Sequence, residues 1–272
     1  MSYFTLLPNF PLVWNFIFGI LGAMIYIKNL IFFMDRMVSH GKLSSDLSRK
    51  IIHIAAGSFI WVWLFIDPSD GWSYALNITV PFLFFLTFLW KGFKGSPDDP
   101  DVKTMSRTGD PRELLKGTLY FTIMMIVAGT IFFGSYVGML MMAILGYGDG
   151  IAPYIGKRWG KHKYRTFGRE KSVEGSIGVL VFSIIGSLIF FFLLGIVGGP
   201  LDASDAILAD PEVGLIIIVI VIIILGFIAM IIEAFSPADV DNLLIPASTI
   251  ISLIILDILL SANFVVIFRF HP

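Results

Sequence analysis

Seventeen of the nineteen Lys and Arg residues fall in three polar connections, which alternate with connections that carry neither. The segments between them are apolar over roughly 20 residues, long enough to cross a bilayer as helices. Eight such stretches can be read, near 11–34, 51–66, 72–91, 117–133, 135–148, 175–197, 212–235 and 243–268. The basic connections are 35–50, 91–116 and 157–171. The connections 67–71 and 198–211 instead hold Asp67, Asp70, Asp202, Asp205 and Asp210. Positive charge is retained on the cytoplasmic side, so the basic connections are expected there, and an even number of spans puts both termini outside. A hydrophobic content of 57% and a mean hydropathy of +0.87 exclude an ordinary soluble domain. The expected fold is an all-α polytopic membrane protein of about eight transmembrane helices. It forms one domain over 1–272, with the lipid bilayer as a partner and no nucleic acid.

The longest hydrophilic run, GYGDGIAPYIGKRWGKHKYRTFGREKSVEGS, covers Gly146–Ser176. Lys157, Arg158, Lys161, Lys163, Arg165, Arg169 and Lys171 follow Asp149, with Glu170 and Glu174 in and just after them. Carboxylates suit a hard divalent cation, while cations and free backbone amides suit oxyanions, a combination that fits a nucleotide–metal complex. A loop whose charge only orients the chain is the competing reading. The glycines at 146, 148, 150, 156, 160, 168 and 175, which let backbone approach a ligand, weigh against it. Ala152, Gly156 and Gly160 recur every four residues, a small-residue face for another helix or for a nucleotide. A helix beginning near Asp149 would take it as N-cap and accept Pro153. Lys171 or Ser172 would start the sixth span.

Other polar residues sit at the same expected membrane face. Arg49 and His53, four apart, share a helix face. Pro97 to Pro100 read as a flexible loop, after which Asp110 and Pro111 form a helix start with Glu113 three residues on. That helix would run through Leu114–Leu115 into the fourth span, with Arg112 and Lys116 aimed at the headgroups. Glu233, Asp239, Asp241 and Asn242 cluster without a cation, as metal coordination would require; Asn242 could equally cap the last helix. Asp257 is an intramembrane carboxylate, a functional or packing site by default. No cysteine is present, so thiolate chemistry is excluded.

Four stretches in order, RKIIH (49–53), RTGDPRELLKGTLYF (107–121), GDGIAPYIGKRWGKHKY with EKSVEGS (148–176) and EAFSPADVDNLLIP (233–246), resemble the phytol kinase/dolichol kinase family of CTP-dependent prenyl alcohol kinases. The GDPRELLKG stretch resembles the phytol kinase branch. The resemblance implies phosphate transfer from CTP or UTP, with Mg²⁺, to a long-chain isoprenoid alcohol, on catalytic loops at the cytoplasmic face. It assigns Asp149 and Asp241 to the metal, and Glu174 as a further ligand or as the base. Lys157, Lys161 and Lys171 would hold the phosphates, along a nucleotide loop containing Gly148, Gly150, Gly156 and Ser172. Arg49 and His53 belong at the same mouth, and Arg112, Lys116, Glu233 and Asn242 at the substrate interface. Cytidylyl transfer to a lipid phosphate is a rival chemistry, and an anion transporter a rival class, although the chain lacks the internal repeat expected of a transporter.

Overall fold

A computed structural model describes residues 16–65, 71–196, 211–237 and 239–261. The fold is mostly helical. Helix α1 is Gly22–Ser39, α2 Ser45–Gly57, α3 Gly71–Lys94, α4 Pro100–Met105, α5 Gly117–Thr130 and α6 Tyr136–Ala143. Then come α7, Gly150–Trp159, α8, Val173–Phe190, α9, Pro211–Ala234, and α10, Asp241–Ser261. Each expected apolar stretch carries helix. Among the described residues three helical segments are long and apolar enough to cross a membrane: Ala75–Lys94, Val173–Leu193 and Leu215–Ala234. Asp67, Asp70, Asp202, Asp205 and Asp210 lie outside the described residues, as does the side chain of Asp257.

The all-α expectation needs one correction. Strands β1 (Lys163–Thr166) and β2 (Arg169–Ser172) form an antiparallel hairpin, Lys163 opposite Ser172 and Thr166 opposite Arg169. Its two-residue turn, Phe167–Gly168, takes φ of 46° and 75°, the left-handed pair that matches strand twist. Ser172 then caps α8, its hydroxyl accepting from the Gly175 amide at 3.1 Å.

The axis of the fold is α6 and its continuation. Ser135 caps α6 by accepting from the Gly138 amide at 3.2 Å, and every residue of α6 is buried. The rod then widens into a π-helical segment, Ile144–Asp149, and runs without a break into α7. Asp149 is therefore helical (φ −67°, ψ −35°) and makes no side-chain cap, contrary to the N-cap expectation. The continuous rod leaves its carboxylate free for other partners, and π segments of this kind recur at functional sites.

Close backbone approach sets how other helices meet this rod. A Cβ on Gly57 would fall 2.6 Å from the Gly146 Cα, so α2 crosses the π segment with the two backbones in contact. The small face of α7 packs on α8: a Cβ on Gly156 would lie 3.0 Å from the Ser172 hydroxyl, and one on Gly175 3.3 Å from the Gly156 Cα. At Gly156 the small face thus meets another helix.

Two connections differ from expectation. Residues 97–100 are not free loop: Asp99 caps α4, accepting from the Asp101 amide at 3.0 Å and from Lys91 Nζ at 2.7 Å. Asp110 does cap Pro111–Leu115, accepting from the Arg112 amide at 2.9 Å, but this is a 3₁₀ turn. It breaks at Lys116 (φ −108°, ψ −113°) before α5 begins.

Candidate active site

The broken entry to α5, the start of α10 and the mouth of α2 converge on one cavity of about 300 Å³. Its two ends differ in chemistry. At one end stand the cations Arg49, Lys50, Arg107, Lys116 and Arg169 with the carboxylates Glu113, Asp149, Asp239 and Asp241. The other end is walled by apolar side chains of α1, α2, the 3₁₀ segment Ser58–Phe65, α3 and α5, among them Ile27, Phe59, Val80, Phe84 and Met125.

Asp149 is the deepest charge of the mouth, 5% exposed. His53 Nε2 lies 3.5 Å and Lys50 Nζ 3.7 Å from its Oδ2. His53 is fixed by the Leu145 carbonyl oxygen at 3.1 Å and by the Phe121 ring, centroids 4.4 Å apart. Burial opposes ionisation of Asp149, but Lys50, His53, Lys171 and Arg49 overcome it and hold the carboxyl below the usual carboxylate range. Asp241, at the entry of α10, has no such excess of cations. Burial, then the charge of Asp149, pushes it up to about 7. A second carboxylate that ionises reluctantly near a first is one whose charge a bound cation would favour.

Around them the polar ring is braced. Arg107 Nη2 meets Asp239 Oδ1 at 2.8 Å, and Asp239 holds a left-handed φ of 67°. The Glu113 carboxylate accepts from the Arg107 amide and, at 2.8 Å, from the Thr108 hydroxyl, rather than closing a capping box on Asp110. Asn242 does not cap α10, which starts at Asp241; its Nδ2 donates to the Gly117 carbonyl at 3.1 Å, and its buried Oδ1 is without a hydrogen-bond partner. Arg49 is bound by Asp46 Oδ1 at 3.0 Å; burial and nearby Arg107 push its guanidinium down from its ordinary range.

Of the residues expected from sequence, the fold brings Arg49, His53, Lys116, Asp149, Asp241 and Asn242 to this cavity. The others stand elsewhere. Lys157 pairs with Asp46 and Lys161 is exposed. Lys171 binds Glu233 Oε1 at 2.9 Å and also its carbonyl oxygen, both side chains nearly buried. Glu174 accepts from His162 Nδ1 at 2.7 Å beside the hairpin. Arg112 lies outside the lining. Packed protein, Ser183 at Gly148 and Ile54 at Gly150, occupies the space beside those glycines, so they serve helix approach rather than the open cavity. Asp239 already stood in the acidic cluster, but the sequence did not single out Lys50, Arg107 or Glu113 as site residues, and it left Arg169 undistinguished among the seven central cations. Their signal was present, since Lys50 sits within RKIIH, and Arg107 and Glu113 sit within the matched 107–121 stretch.

Among the described residues no three His, Cys, Asp or Glu stand close enough to cage a metal. Asp149 and Asp241, with the unpartnered Asn242 Oδ1, are the oxygens that could hold one. Two carboxylates suit Mg²⁺, which completes its shell with water and substrate phosphates.

A charged mouth and apolar walls thus share one cavity in a mostly helical fold that carries helices long and apolar enough to cross a membrane. A probable chloroplastic phytol kinase 1 of Glycine max is 32% identical over 222 residues, 79% of this chain and 68% of the relative. Its counterpart in Oryza sativa subsp. japonica is 28% identical over 223 residues, 80% and 67%. The chloroplastic farnesol kinase of Arabidopsis thaliana is 32% identical over 180 residues, 65% and 57%. No family model and no solved structure matches. The chain belongs to the phytol kinase-like family of prenyl alcohol kinases, and is an enzyme that transfers phosphate to an alcohol.

Proposed function

We propose that this enzyme phosphorylates a long-chain isoprenoid alcohol such as phytol, farnesol or geranylgeraniol, using CTP or UTP with Mg²⁺ and releasing prenyl phosphate and the nucleoside diphosphate. One observation carries the reading: a single cavity joins five cations and four carboxylates to an apolar bore. Phosphoryl transfer asks the protein for charge neutralisation and in-line positioning. Asp149 and Asp241 hold the ion, which supplies charge neutralisation on the triphosphate when bound. Lys50, Arg107, Lys116 and Arg169 take phosphate oxygens. The alcohol's tail lies in the bore with its hydroxyl near Asp149. Eight spans with the mouth on the cytoplasmic face complete the proposal.

Purified protein given labelled CTP, Mg²⁺ and a panel of prenyl alcohols tests it. Prenyl phosphate with CDP is the expected outcome. Pyrophosphate release, with no phosphorylated alcohol, would replace it with cytidylyl transfer.

A further inference from the structure

We propose that the apolar bore gauges the length of the alcohol's hydrocarbon chain, with Ala56 in its wall and Val80 and Met125 at its floor setting the limit. This deepens the alcohol-kinase reading and rests on it. The register of three helices measures the bore. Down α2 and the 3₁₀ segment Ser58–Phe65 that follows it, Arg49 and Lys50 stand at the mouth, His53 one turn deeper, then Ala56 and finally Phe59, all on the cavity. From Lys116, just ahead of α5, the order down that helix is Thr118, Phe121 and Met125, and α3 runs the opposite way through Phe88, Phe84 and Val80. At 1.5 Å rise per residue, Thr118 to Met125 spans about 10 Å and Phe88 to Val80 about 12 Å. With Gly92 of α3 against Leu115 near the mouth and Gly129 of α5 against Asn77 below, the two walls reach a similar depth.

The bottom is closed. Val80, Met125 and Phe59 are 3%, 8% and 8% exposed and belong to the main core, so a chain longer than the bore meets packed protein. The orientation of the substrate is also set. The Tyr26 hydroxyl in the lower wall already donates to the Ala55 carbonyl at 3.3 Å, and the Thr122 hydroxyl to the Leu119 carbonyl at 2.8 Å. With those protons committed, an alcohol's hydroxyl finds stronger partners among the charges of the mouth than toward the floor, so it stays at the mouth and the tail points down. Ala56 is the one alanine of the lining. A larger side chain there shortens the usable bore without touching the mouth, three residues from His53.

The test compares kcat/KM for geraniol, farnesol, geranylgeraniol and phytol in detergent micelles, for wild type, Ala56→Leu, Ala56→Phe and Met125→Ala. Filling the bore should cut the ratio of geranylgeraniol to geraniol activity about tenfold or more, the scale of a few misplaced methylenes in an apolar pocket. The nucleotide KM should stay unchanged, and Met125→Ala should shift the ratio the other way. Retained geraniol turnover certifies that a filled variant has folded; where both fill variants fail to fold, Met125→Ala alone decides, an unshifted ratio overturning the proposal. Equal losses across all four alcohols would overturn the length gauge while leaving the kinase reading intact. A wild type that phosphorylates none of them would overturn that reading, and the gauge with it.

Discussion

Nε2 of His53 stands 3.5 Å from Oδ2 of Asp149. The two residues come from helices that meet only because Gly57 and Gly146 let their backbones touch. The same crossing carries Lys50 to Asp149, its Nζ 3.4 Å from the Asp149 carbonyl and 3.7 Å from the carboxylate. The mouth of the cavity is thus built by a helix contact one turn deeper than the charges it arranges.

Separating that contact should damage the site before it unfolds the protein. Gly57→Ala places a methyl 2.6 Å from the Gly146 Cα, and overpacking of this kind costs about 1–3 kcal/mol. Thermal unfolding in detergent should show a lowered Tm, and turnover should fall further than the stability loss accounts for. A variant with wild-type Tm and turnover would mean the crossing does not hold His53 and Asp149 together.

If Asp149 and Asp241 hold the metal, Asp149→Asn and Asp241→Asn should each reduce Mg²⁺-dependent transfer by about 10²–10³-fold or more, the scale seen when a group stabilising transition-state charge is removed. Both variants should fold, since an amide replaces a carboxylate of the same shape. Normal turnover in either would take that residue out of the site.

The cations divide into two groups with different signatures. Lys171 is locked to Glu233, so Lys171→Ala leaves a nearly buried carboxylate without its partner and should cost about 3 kcal/mol of stability. A Lys171→Met/Glu233→Leu pair should restore much of that loss. Lys50→Ala and Arg107→Ala, at the cavity, should instead raise the nucleotide KM and lower kcat, which Lys171→Ala should not do beyond its loss of stability. A reversed pattern, with Lys171→Ala acting only on nucleotide KM, would return that lysine to the phosphates.

The proposed topology rests on the seventeen cations. Single cysteines at the exposed Ser39 and Ser96, in a chain with none of its own, should react with an impermeant thiol reagent only from the cytoplasmic side. A cysteine at Ser204, in the acidic connection, should react only from the opposite side. Labelling of Ser96 and Ser204 positions from the same side would break the alternation.

The sequence by itself determined the class of molecule and much of its chemistry. Apolar stretches and segregated charge made it a helical membrane-associated protein, because hydrocarbon-length segments admit little else. The matched stretches carried the prenyl alcohol kinase family; Asp149 and Asp241 were legible as candidates from the acids beside glycines and in a cation-free cluster, and Arg49 and His53 from their place in the matched RKIIH stretch. What only the tertiary structure decided is which of seven central cations face the cavity. Arg169 does; Lys157 and Lys171 are taken by Asp46 and Glu233. A run of charge shows no direction along a chain. Direction came from the β-hairpin, whose left-handed Phe167–Gly168 turn reverses the run, and from glycine contacts that pack α7 onto α8 and α2 onto the π segment. Those contacts join residues far apart in sequence, and small residues at a crossing look the same in one dimension as small residues at a ligand.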